Sequence, residues 1–274
     1  MSDKSIDVLW RKLADDLRES CEQAGVMGYS LQDLKTKRRA GFREDVLFPT
    51  ASTIKIAILL ALAIRVHKGD VSWTDRVVVE DGVKVGGSGV LGHFLHKADL
   101  AVQDVAALMI CLSDNTATNI CIDLATMEFV NETMKSLGLT NTKLRRKMMD
   151  IEAAKRGDEN VSTPGELAEL VARIHNRDGV PEKVAEDVLQ LLELPKNSPF
   201  TLALPENVRR ANKPGGLGNL SVDAGIIYLP DRPFALAVCG SFLPGKPEQA
   251  VASVVRKAFG YMELLAGCTE LGRS

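Results

Sequence analysis

The 274-residue chain carries no excess of either charge: 34 basic side chains stand against 36 acidic ones, giving a net charge of -2 and a pI near 6.1. Binding to a phosphate backbone draws on a basic surface, and runs of cations such as Arg145-Arg146-Lys147 are short here, so nucleic acid is not an expected partner. Long apolar runs are missing as well. The longest, 56–64, stops at Arg65, whereas a membrane span takes roughly 20 residues, so no span is expected. The opening residues Met1-Ser2-Asp3-Lys4-Ser5 and the six after them lack the apolar stretch of a secretory signal. The chain as written is therefore expected in the cytoplasm, while a secreted form trimmed of its leader would carry the same residues.

Cysteine and histidine are sparse. The five cysteines (Cys21, Cys111, Cys121, Cys239, Cys268) are odd in number and contain no C-x-x-C pair, which points to buried reduced thiols rather than a disulfide framework or a zinc site. Of the four histidines, His93 and His96 share a helical spacing, but no metal-ligand pattern forms around them. No metal and no cofactor are expected. Repeats, low-complexity tracts and long linkers are also absent. What is present, 45% hydrophobic and 26% charged residues, is the composition of a globular protein.

Periodicity orders the chain as strands, helices, strands. Val8, Leu9, Leu13, Leu17 and Cys21 recur at helical spacing over 7–24, and Gly25 stops the pattern. Segments 26–31 and 38–47 read as a hairpin around Lys35-Thr36-Lys37. Helices are predicted over 54–67, 102–112, 116–125, 128–137, 164–175 and 181–192, with almost no strand signal among them. Strands return at 220–229 and 234–242 around Pro230-Asp231-Arg232-Pro233, before a closing helix over 246–265. Because hairpins pair antiparallel, the expected fold is α/β (α+β): one antiparallel sheet covered by the terminal helices, with an inserted all-helical lobe. The sheet lobe takes 1–47 and 206–274 and the helical lobe 48–205, together one catalytic domain, with any cleft where the lobes meet.

Ser52 and Lys55 stand three residues apart at the start of the first central helix, which puts an amine within reach of a hydroxyl. A serine becomes a nucleophile once a base takes its proton, and a lysine does so when burial and nearby positive charge lower its pKa. Alone, the pair says little: roughly one S-x-x-K arises by chance in such a chain, with serine as a plain helix cap. Two further motifs follow it. Ser113-Asp114-Asn115 lies between two predicted helices, and Lys213-Pro214-Gly215-Gly216 lies just before the first C-terminal strand.

In this order the three motifs resemble the class A-like serine β-lactamase and DD-peptidase superfamily, the penicillin-recognising serine hydrolases. The likeness extends to Phe48-Pro49-x-x-Ser52-Thr53-x-Lys55, Ser113-Asp114-Asn115-Thr116-Ala117-x-Asn119, Ser162-Thr163-Pro164 and Asp223-Ala224-Gly225-Ile226-Ile227. It implies a β-lactamase/transpeptidase-like fold. It also implies Ser52 as the acylated nucleophile, Lys55 as its proton acceptor and Ser113 as the proton route to the leaving group. Asn115 would orient Lys55 and the substrate amide, and Lys213 would supply positive potential. Gly215 belongs to the third motif, and the backbone N–H groups of Ser52 and Gly216 would form the oxyanion hole. For Asp114 a capping or loop-holding role is expected.

Three features depart from that pattern. Pro214 stands where the third motif usually has Thr or Ser, and brings neither hydroxyl nor N–H. The stretch 144–154 lacks the E-x-x-L-N pattern of hydrolytic class A enzymes: gap-free counting from Thr163-Pro164 puts Lys147 near the glutamate position, and a shifted alignment offers Asp150 or Glu152 as deacylation base, with Glu159 a further candidate. The third is the missing secretion signal. Three functions are in view: a β-lactamase-like hydrolase of β-lactam amides and small esters, an intracellular carboxylesterase or peptidase on the same scaffold, and a slowly acylated penicillin-binding module. The expected partner is a small-molecule substrate (β-lactam, ester or peptide-like), taken by a monomer.

Overall fold

The computed structural model describes residues 4–272. It opens with α1 (Ser5–Glu22), β1 (Val26–Asp33), β2 (Arg39–Phe42) and β3 (Phe48–Pro49), then α2 (Lys55–Lys68), β4 (Arg76–Val79) and β5 (Ala98–Ala101). Next come α3 (Val102–Cys111), α4 (Asn115–Ala125), α5 (Met127–Ser136), α6 (Ile151–Lys155), β6 (Val161–Ser162), α7 (Pro164–Asn176) and α8 (Glu182–Leu192). The chain closes with α9 (Pro199–Ala203), β7 (Arg210–Leu217), β8 (Leu220–Ile227), β9 (Phe234–Ser241) and α10 (Pro247–Ala266). Two compact units divide it. One comprises the chain up to Thr53, Ser162–Ala172 and the chain from Asn197 onward; the other comprises Ile54–Val161 and Arg173–Lys196.

The first unit is built on an antiparallel sheet in the order β2-β1-β9-β8-β7, so strands from both ends of the sequence share one ladder, as expected. Period-2 alternation sends Met27, Tyr29 and Leu31 of β1 and Leu236 and Val238 of β9 into a core with Trp10, Leu13 and Leu17 of α1. Val251, Val255, Phe259 and Met262 of α10 complete it at helical spacing. Burying each such Leu, Val or Phe contributes about 1.5–3 kcal/mol.

The second unit is organised around α2. Nine successive residues from Lys55 to Ala63 are buried, so this helix has no solvent face along that stretch, and α3, α4, α5 and α8 pack about it. The longest apolar run of the sequence is thus a core helix. Gly69 ends it in the left-handed region at φ 82°, behind Arg65, His67 and Lys68 in the last turn.

Two expectations need correction. The central stretch is not free of strands: Val77-Val78-Val79 pairs with 98–100 in β4 and β5, a ladder too short to produce visible alternation. Lys213-Pro214-Gly215-Gly216 does not precede a strand but lies inside β7. One proline and two glycines erase the strand signal there, and the position is tolerated because β7 is the sheet's edge.

A buried ion pair ties the sheet's turns together. Arg232, in the β8–β9 side of the sheet's connections, donates through Nε to Asp33 Oδ2 at 2.9 Å and through Nη1 to the carbonyl of Leu265 at 2.5 Å. Asp33 also accepts from the N–H groups of Lys35 and Thr36 and from the Thr36 hydroxyl. Burial raises the Asp33 carboxyl, but the Thr36 bonds and the Arg232 charge outweigh it and leave the pKa below its ordinary 3.8. Asp33→Asn is expected to cost about 3–5 kcal/mol at neutral pH, because it leaves a buried guanidinium unmatched. A depressed carboxylate stabilises above its unfolded pKa and loses that contribution as pH falls through the folded value, so in urea unfolding the penalty should shrink below about pH 4. An unchanged penalty at acid pH would count against an ionic origin.

Candidate active site

Lys55 is the first residue of α2 and is fully buried. Its Nζ donates to the Ser113 carbonyl at 2.9 Å, to Ser113 Oγ at 3.0 Å and to Asn115 Oδ1 at 3.4 Å. Burial pulls the ammonium down from 10.5 to about 7, and the nearby Asp114 and Cys121 raise it only in part. The Ser52-x-x-Lys55 spacing therefore places a lysine with the pKa of a base one turn beyond the serine. Ser52 itself sits in a 3-10 turn, Ala51–Ile54, that leads into α2, and Ala51 holds φ 44°. The plain-cap reading fails: α2 begins behind Ile54, with no side-chain cap bond.

Ser113 occupies a tight corner at φ 55°, one residue before Asp114 opens α4. Asp114 Oδ1 caps the helix through Ala117 N at 2.9 Å, and Oδ2 accepts from Val90 N at 2.6 Å and Leu91 N at 2.8 Å. It is the loop-holding carboxylate that was expected. Sequence reasoning missed the loop it holds. Val85-Gly86-Gly87-Ser88-Gly89 wraps the motif: Asn115 N donates to Ser88 O, Asn115 Nδ2 to Gly86 O, and Thr116 Oγ1 bonds both polar groups of Val85. A Cβ on Gly87 would lie 2.5 Å from Asn115 Nδ2, and one on Gly89 2.3 Å from the Asp114 carboxylate. With φ of 85° and 108°, both positions require glycine, and the G-G-x-G run was the available signal.

The third motif is placed by β7. A Cβ on Gly215 would meet Thr50 O at 2.5 Å and Ser52 N at 2.8 Å, so the strand's backbone runs directly against the turn that carries the serine. Thr53 Oγ1 donates to Lys213 O at 3.3 Å across the same approach. Gly216 is exposed, and a Cβ there would touch only Leu220 O, at 3.6 Å. Lys213 is buried, with Nζ donating to the Pro214 carbonyl at 2.9 Å.

The segment 144–154 is fixed by α4. Asn119, one turn beyond Asn115, accepts from Met148 N at 2.8 Å and donates to Met148 O at 3.1 Å. Lys147, the gap-free occupant of the glutamate position, pairs with Asp123 at 2.5 Å. Asp150 caps α6 through Ala153 N, Glu152 pairs with Lys155 at 2.8 Å, and Glu159 pairs with Arg146 at 2.9 Å. The loop is closed at its neck by Asn160, whose Oδ1 accepts from Arg145 N and Arg146 N. Among the described residues, no group of three or more His, Cys, Asp or Glu is placed to hold a metal, and no helix is long and apolar enough to cross a membrane.

The buried lysine has a measurable signature. Between about pH 7 and 10.5 the unfolded chain binds a proton at Lys55 that the folded chain does not, so folding stability should rise with pH by up to about 1.4 kcal/mol per unit. Lys55→Met removes that dependence. Urea unfolding at several pH values should show the wild type gaining on the variant as pH climbs from 7, and parallel profiles would show that Lys55 titrates normally.

The model of the beta-lactamase enzyme family matches residues 9–261. A crystal structure of a β-lactamase from Sphaerobacter thermophilus is similar at 29% identity, with a TM-score of 0.84, covering 93% of this chain and 98% of that one. Among curated proteins, the beta-lactamase regulatory protein BlaB of Streptomyces cacaoi is 28% identical over 141 residues, 51% of this chain and 45% of the relative. A beta-lactamase of Streptomyces lavendulae is 26% identical over 220 residues, 77% of this chain and 72% of that protein. The match to BlaB thus spans about half of that relative's length.

Proposed function

Because the chain belongs to the beta-lactamase enzyme family, we propose that it is a serine hydrolase working through an acyl-enzyme, with β-lactam amides and small esters as substrates. The observation that carries this reading is Lys55, buried, lowered to about 7 and bonded to Ser113 and Asn115. Neutral Lys55 takes the proton of Ser52 as Oγ attacks the substrate carbonyl. The proton then passes through the Ser113 hydroxyl to the leaving nitrogen or oxygen, and the backbone N–H groups of Ser52 and Gly216 receive the oxyanion. Gly215 allows that pairing by admitting β7 against the serine turn. Lys213 adds positive potential for the substrate.

A second reading, an esterase or peptidase on the same scaffold, draws on Pro214, which offers no hydroxyl to a substrate carboxylate. Neutral acyl groups lose nothing by that change. Intact-mass measurement after mixing with a penicillin and, separately, a p-nitrophenyl ester separates the readings. A transient adduct with product marks a hydrolase, a persistent one a penicillin-binding module.

Ser52→Ala is expected to abolish adduct formation and turnover with both probes. Activity surviving above about 1% of wild type would overturn the assignment, since losing a nucleophile costs far more than that hundredfold.

Water attack on the acyl-enzyme needs a base. Asp150 and Glu152 are the carboxylates proposed for it, yet each is already engaged, by Ala153 N and by Lys155. Penicillin hydrolysis is therefore expected to be limited by deacylation, as a burst of product followed by a slow steady rate in stopped-flow assays. If Asp150→Asn or Glu152→Gln slows the steady rate about a hundredfold while the burst persists, that residue is the base. Absence of any burst in the wild type, with acylation limiting, would refute the expectation.

A further inference from the structure

Met149 stands apart from the other methionines. Among the described residues it is the exposed one, at 45%, whereas Met127 is half-buried and Met27, Met109, Met134, Met148 and Met262 are at 9% or less. Its backbone is held on both sides, by the Asn119 bonds to Met148 and by the Asp150 cap of α6, and it adopts the left-handed region at φ 62°. Its Sδ lies 3.1 Å from where a Gly87 Cβ would stand, and the same point is 2.5 Å from Asn115 Nδ2. Asn115 in turn accepts from Lys55 through Oδ1 and donates to Gly86 O through Nδ2. Sulfur, glycine and catalytic amide thus converge on one spot that lacks room for a side chain.

We propose that Met149 is a site of reversible oxidation by peroxides, and that its sulfoxide disables the site by displacing Asn115. The peroxide O–O bond breaks, one oxygen is transferred to Sδ, the sulfur loses two electrons, and water (or an alcohol, from an organic peroxide) departs. The product replaces an apolar group by a strong acceptor beside the Asn115 Nδ2 donor, in competition with the Gly86 carbonyl. Turning the amide toward the sulfoxide withdraws Oδ1 from Lys55. A thiol-dependent sulfoxide reductase reverses the step, two thiols becoming a disulfide as the oxygen leaves as water.

The slowing of acylation rests on the hydrolase reading above, and the oxidation and the movement of Asn115 do not. The test uses 15N-labelled full-length protein, wild type and Met149→Leu, treated with hydrogen peroxide. Fragment-ion mapping should place the first gain of about 16 Da on Met149. The Asn115 side-chain amide resonance, identified by its loss in Asn115→Asp, should shift as that mass appears. Penicillin acylation should slow at least about tenfold, the scale set by misplacing a catalytic group. Reductase treatment should restore both readouts, and Met149→Leu should resist peroxide in both. Earlier oxidation of another methionine, or an unmoved Asn115 resonance in the Met149-oxidised protein, overturns the proposal. If the untreated protein never acylates, the hydrolase reading fails, while the amide resonance still decides whether Met149 acts on Asn115.

Discussion

The desolvation of one ammonium organises the second unit. Lys55 begins a helix whose next eight residues are also buried, and an amine in such surroundings is favoured in its neutral form. It persists there because Ser113 and Asn115 accept from it, and those two residues keep their places because Asp114 and the 85–91 loop leave few of their polar groups idle. The left-handed Ser113, the two obligatory glycines and the carboxylate with its three hydrogen bonds are one device: a polar corner made rigid enough to hold a lysine against an apolar core.

The sheet unit solves a different problem, bringing a serine turn and an edge strand within backbone distance. Gly215 permits the approach and Thr53 fastens it through the Lys213 carbonyl. Proline at 214, which would break a ladder in mid-sheet, sits at the sheet's border strand. A side chain has room on this strand at Gly216, where only Leu220 O is near, but not at Gly215, where backbone atoms fill the volume of any side chain.

Much of this was legible before any coordinates. The helices declared themselves through periodicity, and α1, α4, α7 and α8 lie within a few residues of where Leu13 and Leu17, Thr116, Pro164 and Pro181 put them. Ser52, Lys55, Ser113, Asn115 and Lys213 were legible as motifs. What stayed hidden obeys no period: β7 carries Pro214 and two glycines, β4 and β5 are four residues long, and the 85–91 loop is defined by φ angles and hydrogen bonds. Counting along the chain gives Lys147 the glutamate position, and what holds that stretch in place is the side chain of Asn119 on its neighbour Met148. A hydrogen bond between residues so far apart in sequence leaves no trace in spacing.

The pairing of β1 with β9 also bears on the order of synthesis. Tyr29 finds its sheet partner in Val238, and Arg232 closes on Asp33 from nearly the far end of the chain. On a ribosome, β1 has β2 alone as a neighbour until Phe234–Ser241 has emerged, while α2 through α8 already exist in full. The first strand made must therefore wait as an unfinished edge for the last, and a chaperone that shields extended apolar segments would have its longest task on Val26–Asp33.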